Sequence, residues 1–158
     1  MPPLNPQNPY PCVFLFPIHK AINAGRCDYD ATRNCWGVSQ QYRQGGSIAL
    51  GIVAGSSRAS YIIDVWNQAP DNDRKYIFEG HQDGNVTADF QGYDCRNVIE
   101  RALGFWQHGN YLIAVFDGHG HCRLLRGNGQ NADLFNCHRA LQNQPLVGGS
   151  KPASNCVD

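Results

Sequence analysis

The sequence predicts an α+β fold, an antiparallel sheet with two or three helices packed on one face in a disulfide-stapled sandwich. Successive segments rich in β-branched and aromatic residues are separated by short turns, which favours antiparallel pairing. Segments with helical periodicity precede and follow them. Only 16% of the residues are charged, while the chain holds 17 Gly, 9 Pro and 7 Cys. This composition is typical of a loop-rich domain with covalent cross-links.

The length of 158 residues corresponds to one domain. Residues 1–11 carry five prolines among Asn and Gln, so we expect a flexible, extended N-terminal segment before a single α+β domain over residues 12–158. Thirteen Lys and Arg balance thirteen Asp and Glu, which argues against binding nucleic acid or an anionic membrane through overall charge. No apolar run approaches the roughly 18 residues of a transmembrane helix.

The first predicted element is a short helix from Pro17 to Gly25. Proline suits the first helical position, apolar residues share one face, and glycine suits the end of the helix. The polar residues 26–46 that follow are predicted to form a loop, and Cys27 and Cys35 are close enough to bracket it.

Strands are predicted next. Ser47–Ala54 alternates between two faces, whereas Tyr61–Trp66 and Tyr76–Phe78 are rich in β-branched and aromatic residues. The connection between the last two, residues 69–74, contains proline, asparagine and aspartate, so we expect a hairpin. Val86–Phe90 is a weaker strand candidate.

The clearest helix spans Cys95–Gln107, with Asp94 as its N-cap and apolar residues at helical spacing. A hairpin is predicted next, formed by Tyr111–Phe116 and His121–Leu125, because the glycines between these two strands permit a tight turn. A last helix is predicted over Ala132–Gln142.

The seven cysteines contain no C-x-x-C pair, so the spacing signals of zinc ribbons and thioredoxin-type motifs are missing. We interpret them as disulfide partners in an oxidising compartment, each bridge contributing about 2–4 kcal/mol of stability. Seven is odd, so one thiol is expected to stay free or to bond to a second chain. The pairing cannot be read from the sequence. The candidates are Cys12, Cys27, Cys35, Cys95, Cys122, Cys137 and Cys156.

Two further features bear on the compartment. Asn85-Val-Thr87 is an N-glycosylation sequon, which makes Asn85 a glycosylation candidate and supports secretion. The first residues lack the basic and apolar regions of a signal peptide. We therefore expect a mature secreted, extracellular domain with an added start Met; the alternative is a cytosolic protein with seven thiols.

Five residues suit a metal-free endoribonuclease: Glu79, His81, His119, His121 and Arg123. Glu79 and His81 alternate onto one strand face, and a carboxylate beside an imidazole serves general acid–base catalysis. A cation such as Arg123 would stabilise the charge of a phosphorane-like transition state. We prefer the simpler interpretation, in which these are polar residues that face solvent.

The stretch Asp117-Gly-His-Gly-His121 places two imidazoles on one side of a strand, where they could bind a metal ion together or act as an acid–base pair. Catalytic zinc needs a third protein ligand, which only the fold could supply from Asp117 or His81. Turn chemistry explains the same residues, so we predict no metal and no cofactor. Finally, aromatic residues such as Trp36, Trp66 and Trp106 could form a carbohydrate-binding platform, although in a chain of this size they are more often core.

Several short motifs lie between Asp94 and Gln142, about a third of the chain. They are Asp94-Cys followed by an amphipathic helix, the aromatic-rich strand after Asn110, Gly120-His-Cys in the next strand, and Gly127-Asn leading to Asp133-Leu. This pattern resembles a family of small secreted fungal proteins, the necrosis-inducing effectors and killer-toxin-like domains. The resemblance implies a disulfide-stapled α/β sandwich and a virulence or toxin role against a host or competitor cell. It carries over no catalytic residue.

The sequence therefore leads us to expect a secreted, disulfide-stapled α+β effector or toxin-like protein. We expect a monomer that binds a host or target-cell protein or cell-surface component without turnover. The alternative is a secreted endoribonuclease, the only interpretation with a nucleic-acid partner; a carbohydrate-binding module is the further alternative.

Overall fold

The computed structural model describes residues 12–43, 45–90, 92, 111–116, 122–126 and 133–136. They form a protein of the α+β class. In chain order the elements are β1 (Cys12–Pro17), α1 (His19–Asn23), α2 (Asp28–Arg33), a 3-10 helix (Gln40–Tyr42), β2 (Ile48–Val53), β3 (Ser56–Ala69), β4 (Asn72–His81), α3 (Gly84–Phe90), β5 (Leu112–Phe116), β6 (Cys122–Arg126) and β7 (Asp133–Asn136).

The seven strands form one sheet in the order β4-β3-β2-β1-β5-β6-β7. β1 and β2 run parallel, with Val13 opposite Ile48, and the other neighbouring strands run antiparallel. The prediction of a purely antiparallel sheet is therefore wrong. Between β1 and β2 the chain crosses over through α1 and α2, and a crossover of this length returns it to start a parallel strand.

Both faces of the sheet centre are buried. Phe14 and Phe16 point to one face and Val13 and Leu15 to the other, and all four are 0% exposed. The first face is covered by the α1–α2 segment. α3 packs on β3, and its buried Phe90 is not part of the cluster that contains Phe14. The prediction that all helices lie on one face is therefore also wrong.

An aromatic cluster of five residues ties the first face together: Phe14, Phe16, Trp36, Phe78 and Tyr111. The ring of Phe16 stacks on Trp36 with 4.3 Å between centroids, and its centroid lies 5.0 Å from that of Tyr111 and 5.4 Å from that of Phe14. The Tyr111 hydroxyl also donates a hydrogen bond to the carbonyl of Gly37. Phe16 thereby joins β1 to the segment after α2 and to the start of β5.

The outer edge of β4 is covered by side chains of α2. The Tyr29 hydroxyl bonds both the backbone N–H and the carbonyl of Gly80, each at 3.1 Å. Arg33 donates from Nε to the carbonyl of Phe78 at 2.7 Å, and its guanidinium lies 4.7 Å from the centroid of the Tyr29 ring. These side chains satisfy backbone groups that an edge strand otherwise leaves open for another chain.

The same edge is extended by a backbone bridge. Trp36 and Tyr76 exchange two backbone hydrogen bonds, of 3.0 and 2.9 Å, as an isolated antiparallel pair. The indole of Trp36 donates to the carbonyl of Thr32 at the end of α2 and stacks in the aromatic cluster. Residues 29–36 therefore bond both outward backbone groups of Tyr76 and Gly80 and the carbonyl of Phe78.

Several predicted elements are confirmed. α1 lies within Pro17–Gly25, and Gly25 has a φ of +91°, which favours glycine after the helix. β2 matches the prediction, and the hairpin of β3 and β4 is present with both strands longer than predicted. β5 and β6 form the predicted antiparallel pair.

Other predictions are wrong. Val86–Phe90 is part of helix α3, because the Asp83 carboxylate accepts the backbone N–H groups of Asn85 and Val86, each at 3.1 Å. Residues 26–46, predicted as a loop, contain α2. Asp133–Asn136 is a strand paired with β6, not the start of a helix. The helix predicted over 95–107, the flexible segment 1–11 and residues 137–142 lie outside the described residues.

The cysteines depart from the expected single free thiol. Cys12 and Cys35 carry free thiols, and Cys27 is disulfide-bonded. In the sheet register Cys12 lies opposite Val115 and beside Ser47, so no cysteine faces it on either neighbouring strand. The sulfurs outside the described residues are those of Cys95, Cys122, Cys137 and Cys156.

The Cys12 thiol is 1% exposed. Burial raises its pKa from 9.0 to about 11, against a smaller opposing effect of the Ser47 hydroxyl beside it. Because the thiolate is disfavoured in the folded protein, the Cys12 contribution to stability is fully present below about pH 9. It is lost as the pH rises from about 9 to about 11.

We predict that Cys35, which is half-buried, reacts with a thiol reagent in the folded protein at pH 8, whereas Cys12 reacts only after unfolding. In denaturant without reductant, we expect to count three free thiols per chain. This is the number that remains if four of the seven cysteines form two disulfides. Mass spectrometry after differential alkylation measures both. Equal rates for the two cysteines would contradict the burial argument, and five or more thiols would contradict a chain held by several disulfides.

We also predict that Phe16→Ala lowers the free energy of unfolding by about 3–5 kcal/mol, because it removes a fully buried ring from the aromatic cluster. Urea denaturation followed by fluorescence measures the change. The control is Lys20→Ala on the exposed side of α1, which should stay within about 0.5 kcal/mol of the wild type. A similar small loss for Phe16→Ala would show that the cluster is not the core of the domain.

Candidate functional site

The β3–β4 hairpin extends beyond the rest of the sheet. β2 pairs with β3 only as far as Ile62, and the backbone of Ile63 still bonds Gly46 and Ser47. Residues 64–79 continue as a two-stranded extension, the hairpin arm, with Gly80 and His81 at its base. Its inner face is packed: Trp66 and Phe78 meet edge to face, with centroids 5.6 Å apart, and the guanidinium of Arg43 lies 3.8 Å from the centroid of the Tyr76 ring. With the edge of β4 also held by residues 29–36, the arm is a braced extension of the core.

The opposite side of the arm, its outer face, carries alternating exposed side chains. It consists of Val65 and Asn67 on β3 and Lys75, Ile77, Glu79 and His81 on β4, with Asp64 at the base of the arm. Val65 is 45% exposed and is the exposed large hydrophobic residue among the parts of the chain that the structure describes. This face therefore combines an apolar centre with charged residues on both sides.

A histidine–aspartate pair lies at the base of the outer face. His81 Nδ1 is 2.8 Å from Asp64 Oδ2, and both side chains are about half exposed, at 54% and 52%. The pairing of β3 with β4 shifts register between Ile63 and Val65, so Asp64 occupies a bulge that turns its carboxylate towards His81. An imidazole that donates from Nδ1 to a carboxylate presents Nε2 to solvent, where it can exchange a proton.

A second polar pair lies beside it. The amide Nδ2 of Asn67 donates to Glu79 Oε2 at 3.0 Å. Glu79 and His81 are alternate residues of one strand, so they share a face at a spacing of about 7 Å. Asn67 and Asp64 therefore hold a carboxylate and an imidazole side by side, an arrangement that can both accept and release protons.

The tip of the arm, residues 69–74, is exposed apart from the buried Ala69. It is shaped by its own hydrogen bonds. The Gln68 side chain donates to the carbonyl of Asp73 at 2.9 Å, and the backbone N–H of Arg74 donates to the Asn72 side chain at 2.9 Å. A polar side chain that bonds the backbone two residues on is a common way to order a turn. The tip is thus ordered without a partner.

The five residues suggested by the ribonuclease interpretation do not all come together. Glu79 and His81 share a face of β4, as the alternation predicted. Arg123 lies on β6, and four strands separate β4 from β6. At about 4.8 Å per strand the two backbones are about 24 Å apart. His119, His121 and the side chain of Arg123 lie outside the described residues. Asp64 and Asn67 were not predicted as site residues, because a β-bulge that turns a side chain towards its neighbour has no signature in the alternation of the sequence.

The described residues also bear on a metal site, a membrane-spanning helix and a platform of tryptophans for carbohydrate. Within the described residues, no group of three or more His, Cys, Asp or Glu could hold a metal ion, and no helix there is long and apolar enough to cross a membrane. Trp36 is buried, and Trp66 packs its ring against Phe14 and Phe78. Trp36 thus belongs to the core and Trp66 is partly buried against it; Trp106 lies outside the described residues, and the carbohydrate-binding alternative stays a prediction.

Comparisons with known proteins identified no relative. No protein-family model matches the chain, and no curated protein or solved structure matches it either. The resemblance of residues 94–142 to fungal effectors and killer toxins therefore remains a prediction, and the hairpin arm is the candidate functional site on the grounds of its geometry.

Proposed function

We propose that this protein is a secreted effector or toxin-like protein that binds a protein or surface component of a host or competitor cell through the tip of its hairpin arm. The observation that carries the proposal is the arm itself. It is a braced projection of the sheet whose exposed tip is already ordered by hydrogen bonds of Gln68 and Asn72.

The physical argument concerns the cost of binding. Ordering a flexible loop upon association costs conformational entropy, which subtracts from affinity. A loop held in place by a rigid scaffold avoids most of that cost, which is why recognition residues are so often found on such loops. Here the α2 segment holds one edge of the arm and the packing of Trp66 on Phe78 holds its inner face.

Two observations support secretion. Cys27 is disulfide-bonded, and structural disulfides persist in oxidising compartments. Asn85, the acceptor of the sequon, is exposed in the first turn of α3, as a surface glycosylation site requires. We include in this proposal that the fold is a sandwich cross-linked by disulfides, as the resemblance to the effector family implies.

We predict that the fluorescently labelled protein binds plant or fungal cells saturably and that Asp71→Lys at the tip weakens this binding about tenfold, because it reverses a charge at the contact. The control is Lys20→Glu, an equally exposed charge reversal on α1, far along the chain from the arm. Flow cytometry over a concentration series measures both. Equal binding by the two variants, or binding that never saturates, would reject recognition through the tip.

The base of the outer face supports a second candidate function, a secreted endoribonuclease. The observation in its favour is that Asp64 orients His81 beside Glu79. In a metal-free reaction, Glu79 would accept the proton of the 2′-hydroxyl and protonated His81 would give a proton to the leaving 5′-oxygen, which yields a 2′,3′-cyclic phosphate. Arg123 has no part in this version, since it lies on a distant strand.

We predict for this candidate that the purified protein cleaves total RNA and that His81→Ala abolishes cleavage without loss of structure. Asp64→Asn should lower the rate less, because it changes the orientation of His81 and not its presence. The matched control is His19→Ala, an exposed histidine on α1 that should keep full activity. Product analysis on gels across a pH series is the measurement; an inactive wild-type protein rejects the candidate.

A further inference from the structure

The outer face of the arm has a distribution of charge that is complementary to itself. Lys75, Ile77 and Glu79 are alternate residues of β4 and point to the same side of an extended strand. Lys75 and Glu79 are exposed and Ile77 is partly exposed. The positive and the negative residue therefore lie about 7 Å on either side of the isoleucine.

The apolar centre of the same face is completed by β3. Asn67 is the register partner of Ile77, and Val65 is that of Glu79, so Val65 and Ile77 are diagonal neighbours across the two strands. Diagonal neighbours are close enough for their side chains to contact each other. Val65 is 45% exposed. Burial of these two side chains against a partner would remove apolar surface from water.

From this arrangement we propose that the outer face of the hairpin arm binds a second copy of this chain in a two-fold symmetric, face-to-face contact centred on Ile77. A two-fold axis through Ile77 sets Lys75 of each copy against Glu79 of the other, so that both charge pairs form at once. The two Ile77 side chains then meet at the axis, and Val65 of each copy lies beside Glu79, about 7 Å along the strand from the centre. A closed, self-complementary contact of this kind is the usual geometry of homodimers.

The covered edge of β4 determines which kind of contact is open to the arm. Two hairpins can associate edge to edge by continuing the sheet, but this requires free backbone groups on the outer strand. The outward N–H and carbonyl groups of Tyr76 and Gly80 and the outward carbonyl of Phe78 are already bonded to residues 29–36. These contacts disfavour edge-to-edge pairing along residues 76–80, so we place the association at the face of the arm, where the two sheets would pack at a small angle to each other.

The contact is small. Stable interfaces bury about 1,200–2,000 Å² in total, and a patch of six or seven side chains on each copy lies at or below the lower end of that range. We therefore expect a reversible dimer with a dissociation constant in the micromolar range. The dimer itself does not depend on the proposed function of the tip.

The test uses charge reversal at the two positions that the axis relates. Sedimentation velocity from about 1 µM to about 1 mM should show the full chain dimerising. Lys75→Glu sets two carboxylates against each other across the contact, and Glu79→Lys sets two lysines against each other. With a dissociation constant raised at least about tenfold, each variant should therefore be largely monomeric at a concentration near the wild-type dissociation constant, which is the concentration used for all comparisons below. The double variant Lys75→Glu/Glu79→Lys should dimerise again, because it exchanges the two charges and restores both pairs.

The mixture of the two single variants is the strictest part of the experiment. One copy then carries two acidic residues and the other two lysines, so an equimolar mixture should form a heterodimer although neither variant dimerises alone. Lys20→Glu on α1 is the control and should dimerise like the wild type. A wild-type protein that stays monomeric, single variants that still dimerise, or a mixture that stays monomeric would each overturn the proposal. Circular dichroism of every variant excludes misfolding as the cause.

Discussion

The ring of Phe16 is the contact on which most of the structure depends. It lies on the central strand and stacks on Trp36, so it holds the α1–α2 segment to the sheet. That segment in turn covers the outer edge of β4 and supports the hairpin arm. The centroid of the Phe16 ring also lies 5.0 Å from that of the Tyr111 ring, just before β5. A single buried ring thus connects the parallel crossover, the arm and the second half of the sheet, as close packing of a small core requires.

The hairpin arm illustrates how such a core can position a functional surface. One face of the arm is packed and its free edge is covered along residues 76–80, which leaves the tip and the outer face as its main exposed surfaces. On the outer face the polar side chains are already paired with each other, as in Asp64 with His81 and Asn67 with Glu79. Exposed ion pairs contribute about 1 kcal/mol or less to stability. Their larger effect here is to fix side-chain positions before a partner arrives.

Where local sequence and tertiary packing agree, the elements could be predicted. The alternation in β2 and the turn residues between β3 and β4 specify a strand and a hairpin over short distances. β1 was missed, since a strand buried on both faces has no alternation to detect. Val86–Phe90 was mistaken for a strand because its β-branched composition hides the cap that Asp83 provides. Helix α2 was missed because its residues are polar, although Tyr29 and Ala31 pack against the sheet.

The sequence by itself determined the α+β class, the position of the long hairpin and the shared strand face of Glu79 and His81, because these follow from local periodicity and turn chemistry. Only the tertiary structure decided the parallel pairing of β1 with β2, the free thiols of Cys12 and Cys35, and the distance between β4 and the strand of Arg123. Each of these depends on which distant segments become neighbours, and neighbours in the sheet are selected by burial of the whole core and not by any local pattern.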